Sequence, residues 1–167
     1  TSRETYTSST VLLSIGRRGS PRKLGCPGEN LEKVYYRLLE PEIIHNQNVL
    51  IVGGGDSAVE SAILLSDENN NVTLSYRGDS FSRIKPANLE RINKAEKSGK
   101  IKVILNSNVK EIKENKVILL MNNQIEKEID NDLVYIFAGG ELPSKFLQKV
   151  GVRITKKFGD AILKHGN

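Results

Sequence analysis

The feature that most constrains this chain is a glycine turn that lies between a short apolar run and a helical pattern. The apolar run, residues 49–52, has the length and β-branching of a buried parallel strand. It leads directly into Gly53-Gly54-Gly55-Asp56-Ser57-Ala58, which fits the pattern G-x-G-x-x-G/A. After Ala58 the apolar residues recur at helical spacing. Strand, glycine turn and helix in this order predict the first unit of a doubly wound α/β domain.

The small residues of this turn have separate tasks in a dinucleotide-binding unit. Gly53 permits the tight turn, Gly55 lets the backbone approach a pyrophosphate, and Ala58 keeps the helix close to the strand. The N–H groups of Asp56 and Ser57 would lie at a helix N-terminus, where unpaired donors and the helix dipole favour an anion. All six residues from Gly53 to Ala58 are therefore candidate cofactor contacts. The alternative is a tight turn that binds no ligand.

Size and composition exclude several other classes of protein. The 167 residues are enough for one domain with a real core, and 38% of them are apolar. No apolar run reaches the roughly 18 residues that a membrane span needs, so no membrane partner is expected. Cys26 is the single cysteine, which excludes an intrachain disulfide and a CxxC pair. A cytoplasmic location and a structural role for Cys26 are expected.

The net charge of +5 does not indicate a nucleic-acid interface. Most basic residues are scattered among acidic ones, without the basic stripe and interleaved aromatic residues that such an interface needs. The exception is a small cluster formed by Arg17, Arg18, Arg22 and Lys23. The phosphates of a nucleotide fit a cluster of this size better than DNA does.

Periodicity along the chain predicts an α/β fold: a Rossmann-like parallel sheet with helices and an inserted small antiparallel β-meander. The predicted strands of the main sheet are 10–15, 49–52, 72–76, 101–105 and 133–138. The predicted helices are 31–39, about 57–66, and one that begins at Pro86 and is stopped by Gly99. The meander is predicted at 109–112, 116–121 and 124–129, and an amphipathic stretch from 144 is followed by a weak strand.

The end of the second strand bears on the choice of cofactor. In dinucleotide folds an acidic residue there holds the ribose 2′-OH of NAD, whereas a basic residue accepts the 2′-phosphate of NADP. Here the strand ends in Tyr76-Arg77, and no carboxylate follows until Asp79. The planar guanidinium of Arg77 suits a phosphate, Arg83 and Lys85 can add charge, and Tyr76 can stack on adenine. NADPH is predicted over NADH; the alternative is that Arg77 is a solvated residue at a strand end.

Four motifs together resemble the nicotinamide-binding domain of thioredoxin-reductase-like FAD/NAD(P) flavoprotein oxidoreductases. They are Ser-Pro-Arg-Lys-Leu-Gly-Cys-Pro-Gly-Glu at 20–29, the glycine turn through Glu60 at 53–60, Val-Thr-Leu-Ser-Tyr-Arg-Gly-Asp-Ser-Phe at 72–81, and Phe-Ala-Gly-Gly-Glu-Leu-Pro at 137–143. The resemblance implies further cofactor contacts at Gly139, Gly140 and Glu60. Glu60 would face the nicotinamide end of the site, or it is a surface helix residue.

In that family the nicotinamide domain is inserted into an FAD domain, and this implies three parts of the chain. Residues 1–28 would be a remnant of the FAD domain with the first crossing connector, 29–140 the NAD(P)-binding domain, and 141–167 the second crossing and a further remnant. The chain would be a fragment that positions NADPH for hydride transfer to FAD in the intact parent only. It would contain no catalytic residue and no metal, and would be inactive alone. Its partners would be the missing FAD domain, an unknown electron acceptor and, in the parent, a second copy in a homodimer.

Two departures from the thioredoxin-reductase pattern refine the resemblance. The region ahead of the glycine turn lacks the CxxC of thioredoxin reductases, so the chain is more similar to bacillithiol-disulfide-reductase-like or ferredoxin–NADP-reductase-like proteins. The His-Arg-Arg stretch of thioredoxin reductases is replaced by Tyr76-Arg77-Gly78. A self-contained dehydrogenase is disfavoured because no Tyr-x-x-x-Lys pair and no His/Cys zinc set are present. A non-catalytic module that binds or senses a dinucleotide remains the alternative function.

Overall fold

The computed structural model describes residues 6–14 and 20–155. The chain divides into two compact units, Pro21–Gly139 on the one hand and Thr1–Ser20 with Gly140–Asn167 on the other. In chain order the elements of the unit Pro21–Gly139 are β1 (Val34–Tyr35), a 3₁₀ turn (Pro41–Ile43), β2 (Asn48–Val52), α1 (Asp56–Asp67), β3 (Asn71–Ser75), α2 (Pro86–Lys97), β4 (Ile101–Ile104), β5 (Ser107–Ile112), β6 (Lys116–Met121), β7 (Ile125–Asp130) and β8 (Leu133–Ile136).

A five-stranded parallel sheet in the order β1-β8-β2-β3-β4 forms the centre of this unit. Strand β2 pairs in parallel with β3 on one side and with β8 on the other, so that Leu50 lies between Thr73 and Val134. Both faces of the sheet are covered, which is why β2 is a continuous apolar run and does not alternate with polar residues. The predicted α/β fold with a Rossmann-like parallel sheet is confirmed.

Two apolar clusters cover the two faces of the sheet. On one face the helices α1 and α2 pack through fully buried side chains such as Val59, Leu65 and Ile92. On the other face the sheet residues Leu50 and Val134 pack in one cluster with residues of β5 and β6. The result is three layers: helices, parallel sheet and antiparallel meander.

The antiparallel meander β5-β6-β7 is the inserted element that the sequence predicts. In β6 the side chains of Val117 and Leu119 are buried, whereas Lys116 on the same strand is exposed, as expected for a sheet with one packed face. Three residues, Asn122, Asn123 and Gln124, connect β6 to β7, and the φ angles of the two asparagines are 49° and 57°. The Gln124 N–H donates to the Met121 carbonyl at 3.0 Å, which closes a tight turn whose two central residues are asparagines, a residue type that tolerates the left-handed region.

Two of the predicted elements are wrong. Residues 31–39 form turns and the short strand β1, because Val34 and Tyr35 pair with Val134 and Tyr135 at the edge of the sheet. The rings of Tyr35 and Tyr135 stack with centroids 5.3 Å apart, and β-branched and aromatic residues favour this pairing over a helix. The strand predicted at 10–15 is absent from the described residues 10–14, and residue 15 lies outside them. Leu12 is 90% exposed there, and none of the strands in the described residues pairs with this segment.

The unit that combines Thr1–Ser20 with Gly140–Asn167 contains a short helix, α3 (Ser144–Lys149), where the amphipathic stretch was predicted. The Glu141 N–H donates to the Ser20 carbonyl at 2.9 Å. The weak strand expected after α3 is not found in the described residues up to 155, and residues 156–167 lie outside them. The assignment of 1–28 and 141–167 to a flavin domain stays a prediction. None of the described helices is long and apolar enough to cross a bilayer.

Candidate functional site

A cavity of about 490 Å³ opens in the unit Pro21–Gly139 at the carboxyl ends of β8, β2 and β3. Open α/β sheets bind their ligands outside the carboxyl ends of the strands, at the point where the strand order reverses direction. The cavity is lined by Arg22, Lys23, Leu24, Val52, Gly53, Gly54, Gly55, Ser75, Tyr76, Arg77, Arg83, Ser107, Asn108, Val109, Phe137, Ala138 and Gly139.

Gly53 is a glycine because the fold requires it. Its φ is 150°, a value that residues with side chains rarely adopt, and a Cβ there would lie 2.7 Å from the carbonyl oxygen of Phe137. The same Cβ would lie 3.1 Å from the Cβ of Ala58. The close approach of β2, β8 and α1 therefore depends on Gly53 and on the small side chain of Ala58.

Gly55 is a glycine that the fold does not require. Its backbone is extended, with φ −103° and ψ 174°, and a Cβ built on it would meet no atom within 4 Å. The space beside it lies at the N-terminus of α1. The N–H groups of Ala58 and Val59 donate to the Gly55 carbonyl, at 3.0 and 3.2 Å. The N–H groups of Asp56 and Ser57 lie in the first turn and have no acceptor within the helix. An anion can approach the helix at this point without meeting a side chain.

The ring of Tyr76 packs against two glycines. A Cβ on Gly54 would lie 2.3 Å from the nearest ring atoms of Tyr76, and a Cβ on Gly78 would lie 2.6 Å from its Cε1. The ring also stacks on Phe81, with centroids 5.6 Å apart and an interplanar angle of 7°. This packing explains why a glycine occupies position 78. That Tyr76 stacks on adenine stays a prediction, although the residue lines the cavity.

The cavity is strongly cationic. Arg22, Lys23, Arg77 and Arg83 line it, and its lining contains no carboxylate. Within residues 6–14 and 20–155, none of these four side chains forms an ion pair with a carboxylate. A concave surface with uncompensated positive charge attracts anions.

Three predicted site residues take part in hydrogen bonds that connect α1 to α2: Asp56 and Glu60 through their side chains, and Lys85 through its backbone N–H. A carboxylate oxygen of Asp56 accepts hydrogen bonds from the Lys85 N–H at 2.8 Å and from Asn88 Nδ2 at 2.7 Å. These bonds hold the pKa of Asp56 below its usual range. Asn88 Nδ2 also donates to Glu60 Oε1 at 2.8 Å. Asp56, Glu60 and Lys85 do not line the cavity, and neither do Ser57 and Ala58.

Gly139 and Gly140, the last two predicted cofactor contacts, belong to different compact units. Gly139 lines the cavity, whereas Gly140 belongs to the other compact unit. The roles of both in cofactor binding stay predictions.

Several lining residues are absent from the set of candidates that the sequence suggests. Ser75 at the end of β3 and Ser107 at the start of β5 are buried, and their hydroxyls lie 2.8 Å apart. Asn108 and Val109 follow on β5. Residues that follow the carboxyl ends of adjacent parallel strands meet at one edge of a sheet. By this rule, the segment that follows β4 can be recognised from the sequence as part of the cavity wall.

Neither a reactive thiol nor a metal cluster is found in the described part of the chain. Cys26 is half-buried and free, and burial, followed by the charge of Glu29, raises the pKa of its thiol. The thiol is therefore disfavoured as a nucleophile. Within residues 6–14 and 20–155, no three His, Cys, Asp or Glu side chains are grouped so as to hold a metal ion.

The sequence over residues 1–164 matches the family described as pyridine nucleotide-disulphide oxidoreductase. The chain belongs to this family. It is 33% identical to bacilliredoxin reductase Bdr of Bacillus subtilis over 160 residues, which are 95% of this chain and 49% of that protein. It is 31% identical to a ferredoxin–NADP reductase of Ignicoccus hospitalis over 158 residues, 91% of this chain and 50% of that protein.

Solved structures agree with this assignment. The bacillithiol disulfide reductase Bdr of Staphylococcus aureus superposes with a TM-score of 0.79 at 33% identity, covering 83% of this chain and 43% of that one. The predicted resemblance to thioredoxin-reductase-like oxidoreductases is confirmed. The chain spans about half the length of the curated relatives it matches.

Proposed function

We propose that the unit Pro21–Gly139 binds a nicotinamide dinucleotide and that, within a flavoprotein reductase, it positions NADPH for hydride transfer to FAD. The observation that carries the proposal is the open space at Gly55. Neither backbone geometry nor packing demands a glycine there, and the space adjoins a helix N-terminus in a cationic cavity. A pyrophosphate that approaches the backbone gives a reason for this glycine.

The arrangement of the cavity suggests an orientation for the dinucleotide. The pyrophosphate would lie at the glycine turn after β2, at the N-terminus of α1. The adenosine would extend toward the end of β3, where Tyr76 and Arg77 lie, and the nicotinamide toward Phe137 at the end of β8. NADPH would supply a hydride and FAD would accept it, whereas the residues of this chain would bind and orient the dinucleotide.

The end of β3 favours NADPH over NADH. Arg77 lines the cavity and has no carboxylate partner in the described part of the chain. The lining contains no acidic residue that could hold a free ribose 2′-OH. Arg77 would then form a charge-assisted contact with the 2′-phosphate.

The family assignment supports a role for this unit inside a larger enzyme. The relatives are named as reductases, and they are about twice as long as this chain. We propose an FAD-binding domain as the partner of this unit, and a second copy as a further partner in a homodimer. The names of the relatives give different acceptors, bacilliredoxin and ferredoxin, so we propose no electron acceptor beyond the flavin. A single cysteine is typical of the reducing cytoplasm, where we place the reaction.

The test is a titration of the chain and its variant Arg77→Ala with NADPH and with NADH. The variant should bind NADPH about tenfold or more weakly, because a hydrogen bond between charged groups contributes about 1.5–3 kcal/mol. NADH binding should change little. The difference should shrink at high salt, since Arg77 is exposed.

Arg91→Ala is the matched control, because Arg91 is an exposed arginine on α2 that does not line the cavity. It should bind both cofactors like the unmodified chain. If the unmodified chain binds neither cofactor, the proposed function is wrong. If Arg77→Ala weakens NADPH and NADH equally, the assignment of the 2′-phosphate to Arg77 is wrong.

A further inference from the structure

A second wall of the cavity comes from the segment 22–29, which precedes the parallel sheet in the chain. Its first residue is anchored to the end of β8, because the Arg22 N–H donates to the Gly139 carbonyl at 2.9 Å. Its last turn is anchored to β5, where the Ile112 N–H donates to the Pro27 carbonyl at 2.9 Å. Gly28 approaches β5 so closely that a Cβ there would lie 1.8 Å from the Ile112 oxygen. Both ends of the segment are thus fixed to the sheets.

A buried carboxylate fixes the middle of this segment. Glu29 is 7% exposed and accepts hydrogen bonds from the N–H groups of Leu24 at 2.7 Å and Gly25 at 2.8 Å. The hydroxyl of Tyr36 donates to the same carboxylate at 2.8 Å. Burial opposes ionisation, but these hydrogen bonds outweigh it, so the pKa of Glu29 lies below its usual range. Glu29 is therefore ionised at neutral pH and holds the backbone that directly follows Arg22 and Lys23.

The two cations ahead of this carboxylate differ in their surroundings. The Lys23 ammonium lies 5.3 Å from the centre of the Tyr36 ring, which is within range of a cation–π contact. Arg22 has no ion pair within residues 6–14 and 20–155, although it lines the cavity. Arg22 is thus a cation that the protein holds at the cavity without neutralising it.

The position of Arg22 in the sheet distinguishes it from Arg77. Arg22 is bound at the end of β8, whereas Arg77 follows β3, and β2 with its glycine turn lies between these strands. A dinucleotide whose pyrophosphate lies at the glycine turn would therefore meet the two arginines at different groups. Arg77 lies on the adenosine side, and Arg22 lies on the other side of the turn.

We propose that Arg22 binds the pyrophosphate of the dinucleotide and that Glu29 is the residue that positions it. The inference rests on the proposed function and deepens it: Arg22 contributes to affinity for NADPH and NADH alike, whereas Arg77 separates the two. Glu29 itself touches no ligand. It acts through the backbone of Leu24 and Gly25.

The experiment compares Arg22→Gln, Glu29→Gln and the double variant, with Arg91→Ala as the exposed-arginine control. Each is titrated at low salt with NADPH, NADH and 2′-AMP, the last of which carries a 2′-phosphate but no pyrophosphate. Arg22→Gln should weaken NADPH and NADH by the same factor, about tenfold or more, and should leave 2′-AMP unchanged. Circular dichroism melting checks that each variant is folded.

Glu29→Gln should weaken both dinucleotides by a smaller factor, and the double variant should bind no more weakly than Arg22→Gln alone. Non-additivity of this kind is expected when one residue acts through the other, and a purely structural role would not produce it. NADPH and NADH affinities of Arg22→Gln that equal those of the unmodified chain would overturn the inference. A loss confined to NADPH and 2′-AMP would overturn it too, because it would place Arg22 at the 2′-phosphate. If the unmodified chain binds none of the three ligands, the proposed function itself fails.

Discussion

The substitution Gly55→Val is expected to abolish dinucleotide binding while it leaves the domain folded. The backbone at this position is extended, and the space for a Cβ is open, so valine fits without strain. Loss of glycine at the N-cap of α1 costs at most about 1 kcal/mol. The lower entropy of the unfolded chain offsets about 0.4–1 kcal/mol of this cost. The free energy of unfolding should therefore change by less than about 1 kcal/mol, which corresponds to a shift in Tm of less than about 4 °C.

Gly53→Ala is the matched comparison, because it adds a smaller side chain to the same turn. Here the φ of 150° is unfavourable for alanine, and its Cβ would lie 2.7 Å from a backbone oxygen of Phe137. Backbone strain of this kind costs about 1–3 kcal/mol, so Tm should fall by about 2–12 °C. The variant Gly55→Val should thus be more stable than Gly53→Ala, although valine is the larger side chain.

The assay combines thermal melting, followed by circular dichroism, with titration of NADPH. Gly55→Val should lose at least about 2 kcal/mol of binding free energy, about thirtyfold in Kd, because phosphate contacts to backbone N–H groups contribute about 1.5–3 kcal/mol each. Native-like affinity in Gly55→Val would mean that the glycine turn binds no pyrophosphate. A Tm for Gly55→Val that falls as far as that of Gly53→Ala would refute the claim that the fold does not require Gly55.

Two further predictions concern stability. The pKa of Glu29 is lowered in the folded state, so its contribution to stability is present above its unfolded value, near 4.3, and is lost as the pH falls through the folded value. Urea unfolding between about pH 3 and 7 should show a smaller pH dependence for Glu29→Gln, and an unchanged profile would contradict the hydrogen-bond network around this carboxylate. Ile92→Ala should cost about 2–5 kcal/mol because the side chain is 0% exposed, whereas Leu89→Ala, at 38% exposed, should cost less than half as much. Equal losses in chemical unfolding would contradict the packing of α2.

The parts of the fold that the sequence predicts correctly are those in which several local signals agree. Around the glycine turn, the apolar run, the turn residues and the helical period all favour one structure, and α1 extends one residue beyond the predicted 57–66 at each end. In the meander, the short strand-like runs and the asparagine turn at 122–123 likewise agree. The predicted strand at 116–121 coincides with β6.

The elements that the sequence mispredicts are decided by partners far away in the chain. Val34 forms a strand because it pairs with Val134, and its own neighbours carry a spacing that favours a helix. Residues 10–14 have the composition of a strand, but the described structure contains no strand paired with them. A strand needs a second chain segment, and local composition does not reveal whether one is present.

The same distinction applies to the candidate site. Residues of one contiguous motif, such as Gly53, Gly54 and Gly55, can be recognised from their spacing. Asn108 comes from a separate segment, and only the fold brings it to the cavity. The reverse case is Asp56, which lies inside the motif but whose carboxylate binds Asn88, a residue 32 positions away.

The departure of this chain from the His-Arg-Arg stretch of thioredoxin reductases has a physical explanation in the packing of Tyr76. Its ring fills the space above Gly54, and it leaves no room for a side chain at position 78, where a Cβ would lie 2.6 Å from the ring. A large aromatic ring at 76 and an arginine at 78 therefore exclude each other in this arrangement. The cavity nevertheless keeps its positive charge, because Arg22 and Arg83 line it from other segments. Positive charge around a cavity can thus come from separate segments of the chain, since attraction of an anion depends on its distance from the charges and not on their positions in the sequence.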